Sequence, residues 1–204
     1  MLNIQRSRST LPRLLLLVIV TLWSALALGH VSAHSCDSTT GFPNLQARDL
    51  SGCDLTGASL NQANLTGANL SGAILNHASV QGAVLTRTNL QGAVLTGANL
   101  SGAVLNHASL QGAVLISANL SGAVLDHASL QGTILMGANL QGATLTHANL
   151  TQANLTTVNL TYANLSYATL YQTTGTDILW SSTICPDRTT STADGGTCAG
   201  HFHV

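Results

Sequence analysis

Residues 101–120 read SGAVLNHASLQGAVLISANL, and residues 121–140 read SGAVLDHASLQGTILMGANL. Fifteen of the twenty positions agree, and in both stretches the leucines fall five apart. Working outward, every fifth residue between positions 45 and 170 is Leu, with Val80 the one exception, which makes 26 consecutive units. Two residues before the Leu stands Ala in nearly every unit from position 58 to position 168, with Thr88, Thr133 and Val158 breaking the series. A period of five fits neither a helix at about 3.6 residues per turn nor a continuous strand with its period of 2. Within a unit, however, the Ala and the Leu are two apart, so an extended segment points both the same way. A corner must then turn the chain so that the next Ala-x-Leu faces inward again. Thirteen units place Gly at the second position after Leu, Gly52, Gly67, Gly102 and Gly142 among them. Gly relaxes the steric limits that a tight corner imposes. The chain is therefore expected to wind about an axis, with Leu at the centre and small Ala letting the walls approach.

These units resemble the A(D/N)LXX repeats of the pentapeptide-repeat family, exported bacterial type, over residues 41–170. The resemblance implies an all-β fold, a right-handed quadrilateral β-helix with four pentads to a coil and about six to seven coils. At a strand spacing of about 4.8 Å such a rod is roughly 31 Å long. Sequence self-similarity alone does not set the coil at twenty residues, because residues 71–90 match residues 101–120 equally well at an offset of thirty.

Composition agrees with a solenoid and excludes commoner folds. Charged residues are 6% and aromatic ones 3%, against 45% hydrophobic, and Lys and Glu are absent. Helical bundles surface themselves with Lys and Glu, and sandwich cores want more than seven aromatic residues.

Residues 1–33 read as a secretory signal peptide. Arg6, Arg8 and Arg13 precede an apolar run over residues 14–28, and Val31-Ser32-Ala33 supplies the small residues of a cleavage site. Cleavage after Ala33 gives a secreted or extracytoplasmic chain beginning at His34, with no membrane attachment. The alternative is a membrane anchor formed by residues 11–29, which approach the length of a span. Residues 34–44, with Phe42 and Pro43, are the expected N-terminal cap, residues 45–170 the β-helix, and residues 171–204 a C-terminal cap and disulfide-looped tail. Solenoid ends need such covers, because open edges pair with other chains. In an exported chain Cys185 and Cys198 are expected to pair. Cys53 takes an inward position normally held by Ala, which leaves it either a buried thiol or the partner of Cys36. Without residues 1–33 the chain keeps three arginines against seven aspartates, a formal charge of −4, and offers no basic patch for phosphates.

On the four-sided coil, residues twenty apart share a column. Arg87, His107, His127, His147 and Tyr167 form one at the second position after Leu, and His77 belongs to the opposite side. His107, His127 and His147 are the candidates for a divalent metal, beside Asp126. The bland alternative is a solvated polar column copied with the repeat. Between Ala and Leu, the column Ile74, Val94, Val114 and Ile134 and the opposite column Val84, Val104 and Val124 are β-branched ladders that support strands. They are equally the candidate partner surface, for self-association as a homodimer or for another protein. Asn99, Asn119, Asn139 and Asn159 are expected to form an amide ladder.

No catalytic residues and no cofactor site are identified. The sequence holds no GxSxG, HExxH, CxxC or phosphate-binding loop, and its acids are few and scattered. The expectation is a secreted, non-catalytic structural or protein-binding scaffold with an unidentified protein or cell-surface partner and no nucleic acid. The rival comes from the family, some of whose members imitate DNA and act on type II topoisomerases as inhibitors or protectors. That mimicry needs a strongly anionic surface, and residues 41–170 carry three aspartates against two arginines.

Overall fold

The computed structural model describes Cys36, residues 44–191, Thr197 and Cys198. The signal segment 1–33, the cap residues Phe42 and Pro43, and the tail residues 192–196 and 199–204 lie outside the described residues. The chain winds into a right-handed quadrilateral β-helix. Twenty-five parallel bridges, from Asn44↔Asn64 to Asn164↔Ile184, all join residues twenty apart. Each coil is therefore four pentads, and of the two offsets the sequence allowed, twenty is the physical one.

The unit explains the coil. The inward Leu is buried in every unit, and from position 63 to position 168 so is the residue two before it, while the residue between them points outward as the bridging residue. The Leu amide donates to the carbonyl one coil on, as in Leu105 N to Val124 O at 2.6 Å. The Leu carbonyl then accepts from the amide three residues later, as in Ala108 N to Leu105 O at 3.0 Å, and so closes a β-turn. Within that turn only the third residue has positive φ, the requirement of a type II turn. The thirteen corner glycines lie at φ 63–66°.

Interior exceptions are satisfied locally. Thr88, at an Ala position, donates its hydroxyl to the Leu65 carbonyl at 2.8 Å, and Thr133 donates to the Leu130 carbonyl at the same distance. A hydroxyl can thus replace an Ala methyl without leaving a buried donor unpaired.

The ladder outlasts the sequence pattern. Regular Leu ends at position 170, yet the bridges continue through Asn154↔Thr174, Asn159↔Leu179 and Asn164↔Ile184. Thr173, Trp180, Thr183 and Cys185 keep the inward places. The hydroxyl of Thr183 donates to the Leu160 carbonyl at 2.7 Å, repeating the device of Thr88. The terminal cap therefore begins as three further pentads without Leu at the inward place, then folds back through the antiparallel bridge Ile184↔Thr190. Ser191 donates its hydroxyl to the Trp180 carbonyl across this fold.

Each end of the rod carries a disulfide. Cys36 is bonded to Cys53 in the first coil, and Cys185 to Cys198 beyond the last parallel bridge. Cys53 is thus no free buried thiol. Its side chain points into the core, where Cys36 packs against the buried cluster.

Candidate interaction faces and the histidine column

Four outward columns of bridging residues define four faces, and they alternate in chemistry. One face carries Ile74, Val94, Val114 and Ile134, and the face opposite carries Val84, Val104 and Val124, each set bridged in register. The two remaining faces are polar ladders. On one, the Asn119, Asn139 and Asn159 amides donate to the Oδ1 of the Asn one coil below, at 3.3, 3.4 and 3.2 Å. On the other, Asn69 donates to Asp49 and Asn89 to Asn69, both at 3.1 Å. The same Asn oxygens accept from the amide two residues on, as in Ser121 N to Asn119 Oδ1 at 3.1 Å. One Asn thereby serves both the ladder and its own corner.

Corners differ as much as faces. Before the Ile/Val face runs a column of five glycines, Gly52 to Gly132 at every twentieth residue, and a Cβ built on any of them meets nothing within 4 Å. After that face stand Ile116 and Met136, the latter 39% exposed. Sequence reasoning left these two out of the apolar strip. The signal was there, since the first residue after Leu flanks the face it has just left. The opposite Val face also follows a glycine column, Gly82 to Gly142, but is flanked beyond by Thr86, Asn106 and Asp126.

The histidine column stacks. Ring centroids of His107 and His127 lie 5.0 Å apart, those of His127 and His147 4.8 Å, and those of His147 and Tyr167 4.8 Å, with planes within 8° of parallel. The Arg188 guanidinium covers the outer face of Tyr167, its carbon 5.5 Å from the ring centroid. Arg188 is a member that the twenty-residue register does not predict. The stack places the rings face to face and leaves their nitrogens side by side. Two zinc–nitrogen bonds span at most about 4.2 Å, so adjacent imidazoles held at the stacking distance do not share an ion. Among the described residues no group of three His, Cys, Asp or Glu side chains converges on a metal position. His77, on the opposite corner, leans over Gly97 instead, its Nδ1 2.6 Å from where a Cβ there would lie.

Among the described residues no helix is long and apolar enough to cross a membrane. Among the described residues Leu and Ala fill most of the interior. What the molecule presents is a filled four-sided rod with two apolar and two amide-lined faces, a solenoid whose exterior carries whatever function it has. The family model for pentapeptide repeats matches eight copies, over residues 49–87, 83–123, 103–142 and 138–174. The chain belongs to the pentapeptide-repeat family.

Among solved structures, it is similar to HetL, a pentapeptide repeat protein involved in heterocyst differentiation regulation in the cyanobacterium Nostoc sp. strain PCC 7120. Identity there is 31%, over 72% of this chain and 78% of HetL, with a TM-score of 0.37. A trypsin-treated variant of QnrB1, a plasmid-mediated fluoroquinolone resistance protein, matches at 20% identity over 66% of this chain and 75% of its own, with a TM-score of 0.57. A pentapeptide repeat protein of the Arabidopsis thaliana thylakoid lumen matches at 26% identity over 62% and 71%, with a TM-score of 0.34. No curated protein matches the chain.

Proposed function

We propose that the protein is a secreted, non-catalytic scaffold, which works by presenting the flat faces of a rigid rod to a protein or cell-surface partner. The observation that carries this reading is the pair of disulfides, one at each end of the rod, in a chain that opens with a signal-like segment. Covalent end closure suits a chain that leaves the reducing cytoplasm. A catalytic role finds no support, because acid–base chemistry needs titratable groups gathered in a pocket, and the described aspartates are scattered along an outer surface.

The test is the intact mass and location of the native protein in fractionated cells and medium. A chain beginning at His34, outside the membrane and lacking two hydrogens per disulfide, is the expected result. An uncleaved chain in the membrane fraction overturns secretion in favour of an anchor at residues 11–29. The topoisomerase reading stands second, through the fold it shares with QnrB1. Charge weighs against it, since so few acids leave little anionic field to imitate DNA. Inhibition of gyrase supercoiling by residues 34–204 would reverse that order.

A further inference from the structure

We propose that the Ile/Val face is the contact between two copies of this chain, joined side by side with their rods parallel about a two-fold axis that runs along them. The inference rests on the geometry of the rod and not on its compartment, so the two fail independently.

Two observations single out this face. First, it is self-complementary in shape. A two-fold axis along the rod turns one edge of the face onto the other at equal height. The edge that carries Ile116 and Met136 then meets the partner's glycine corner at Gly112 and Gly132. No neighbouring atom comes within 4 Å of a Cβ at either glycine, so each is bare backbone beside open space, a notch only relative to corners that carry a side chain, at the height of a protruding apolar side chain. Ile74, Val94, Val114 and Ile134 each meet their own copy across the axis. An isologous contact has this form, with the same patch contributed by both subunits. The opposite Val face has the notches, but its knobs are Thr86, Asn106 and Asp126, which favour water over an apolar notch.

Second, no charge interrupts the central four coils of the face. The nearest is Asp54, in the same column one coil below Ile74, at the lower rim.

The area defines the strength. Seven coils at about 4.8 Å, and a side at most roughly 16 Å wide, give on the order of 500 Å² per copy. Standard interfaces bury about 800 Å² per partner. The dimer is therefore reversible and concentration-dependent, unlike an obligate one.

The experiment is sedimentation velocity on residues 34–204 with disulfides intact, over a wide concentration range. Four variants join it: the double change Gly112→Asn with Gly132→Asn, then Met136→Thr, Asp54→Asn and Val94→Cys. Asn tolerates the left-handed corner, and Thr already holds the Met136 place at Thr96 and Thr156, so both chains keep the fold by circular dichroism. The wild type is expected to dimerise reversibly, and filling the notches to raise Kd by at least about tenfold. Met136→Thr raises it less. Removing the like charges that face each other at Asp54 tightens the dimer by up to about fivefold. All four native cysteines are paired, so Cys at position 94 is the sole free thiol, and oxidation should link it to its own copy. A wild type that stays monomeric at every concentration overturns the proposal. A dimer unaffected by both the Asn pair and Met136→Thr overturns it too, by placing the contact elsewhere. When the Val94→Cys chain is mixed with a Val114→Cys chain, linkage of 94 only to 114 would mean antiparallel rods and equally refute the register.

Discussion

The imidazole of His127 stacks on that of His147, with centroids 4.8 Å apart and planes 6° from parallel, while both residues hold a φ of 57°. Each pays for its place with a left-handed backbone that Gly adopts freely, and the stack offsets that cost. Fifteen corners of the rod hold a non-Gly residue in this conformation. The twenty-residue coil brings side chains from such corners into line.

His127→Ala and His127→Gly separate the two effects. Both remove two ring contacts, worth about 0.5–1.5 kcal/mol each in aromatic pairs. The Ala variant retains the left-handed strain and the Gly variant loses it, so Ala is expected to be the less stable by about 1 kcal/mol. Urea denaturation of the two variants measures the difference. Equal stability would mean that the corner imposes no strain.

Two glycines predict two different costs. At Gly102, φ is 64° and an added Cβ meets open space, so Gly102→Ala costs only backbone strain, about 1–2 kcal/mol. At Gly175 an added Cβ would lie 2.8 Å from the Leu155 carbonyl carbon and 2.9 Å from the Thr156 nitrogen. Neither atom is a flexible side-chain end that can swing aside, so Gly175→Ala must displace a coil. It is expected to cost at least about 3 kcal/mol, among the larger single-residue effects. Thermal midpoints of the two variants check the order, which reverses if the last coils are loosely held.

The disulfides close loops with separations of 17 and 13 residues. Cross-links of this span restrict the unfolded chain by about 3 kcal/mol each. Reduction should therefore lower stability by several kcal/mol, beginning at the ends. In hydrogen exchange, amides of the first and last coils lose protection before those around Leu105 and Leu125. Uniform loss along the rod would mean that the ends are held by something other than the cross-links.

Asp54 is fully exposed, yet its carboxyl is held below the ordinary 3.8 by the Thr56 hydroxyl first and the Thr56 amide second. Desolvation opposes them weakly. A depressed carboxyl stabilises the fold when ionised, so its contribution is complete above the unfolded value and lost as pH falls through the folded one. Carbon-detected titration should place the Asp54 midpoint below 3.8, and Thr56→Val should raise it. A midpoint unchanged in Thr56→Val would remove the hydroxyl as the cause.

Much of this fold is legible in the sequence because the repeat is a local rule applied 26 times. Ala-x-Leu states which side chains face inward, and Gly two beyond Leu states where the chain turns. Neither needs a distant residue to be interpreted. The columns of Ile74 and Val84 follow from those rules once a coil of twenty is granted.

The rest depends on which segments lie side by side. Self-similarity of the sequence is equal at offsets of twenty and thirty, and inter-coil hydrogen bonding decides between them. After Leu170 the inward places go to Thr173, Trp180 and Cys185, and only the bridges to the coil below show that the rod goes on. Likewise Cys36 meets Cys53, and Arg188 covers Tyr167, because the winding of the chain brings them together. Sequence alone determined the unit, its inward and outward residues and its corners, since these rest on alternation and backbone sterics within five residues. Tertiary structure alone decided the coil length and the ends, since these depend on contacts between units that no local pattern encodes.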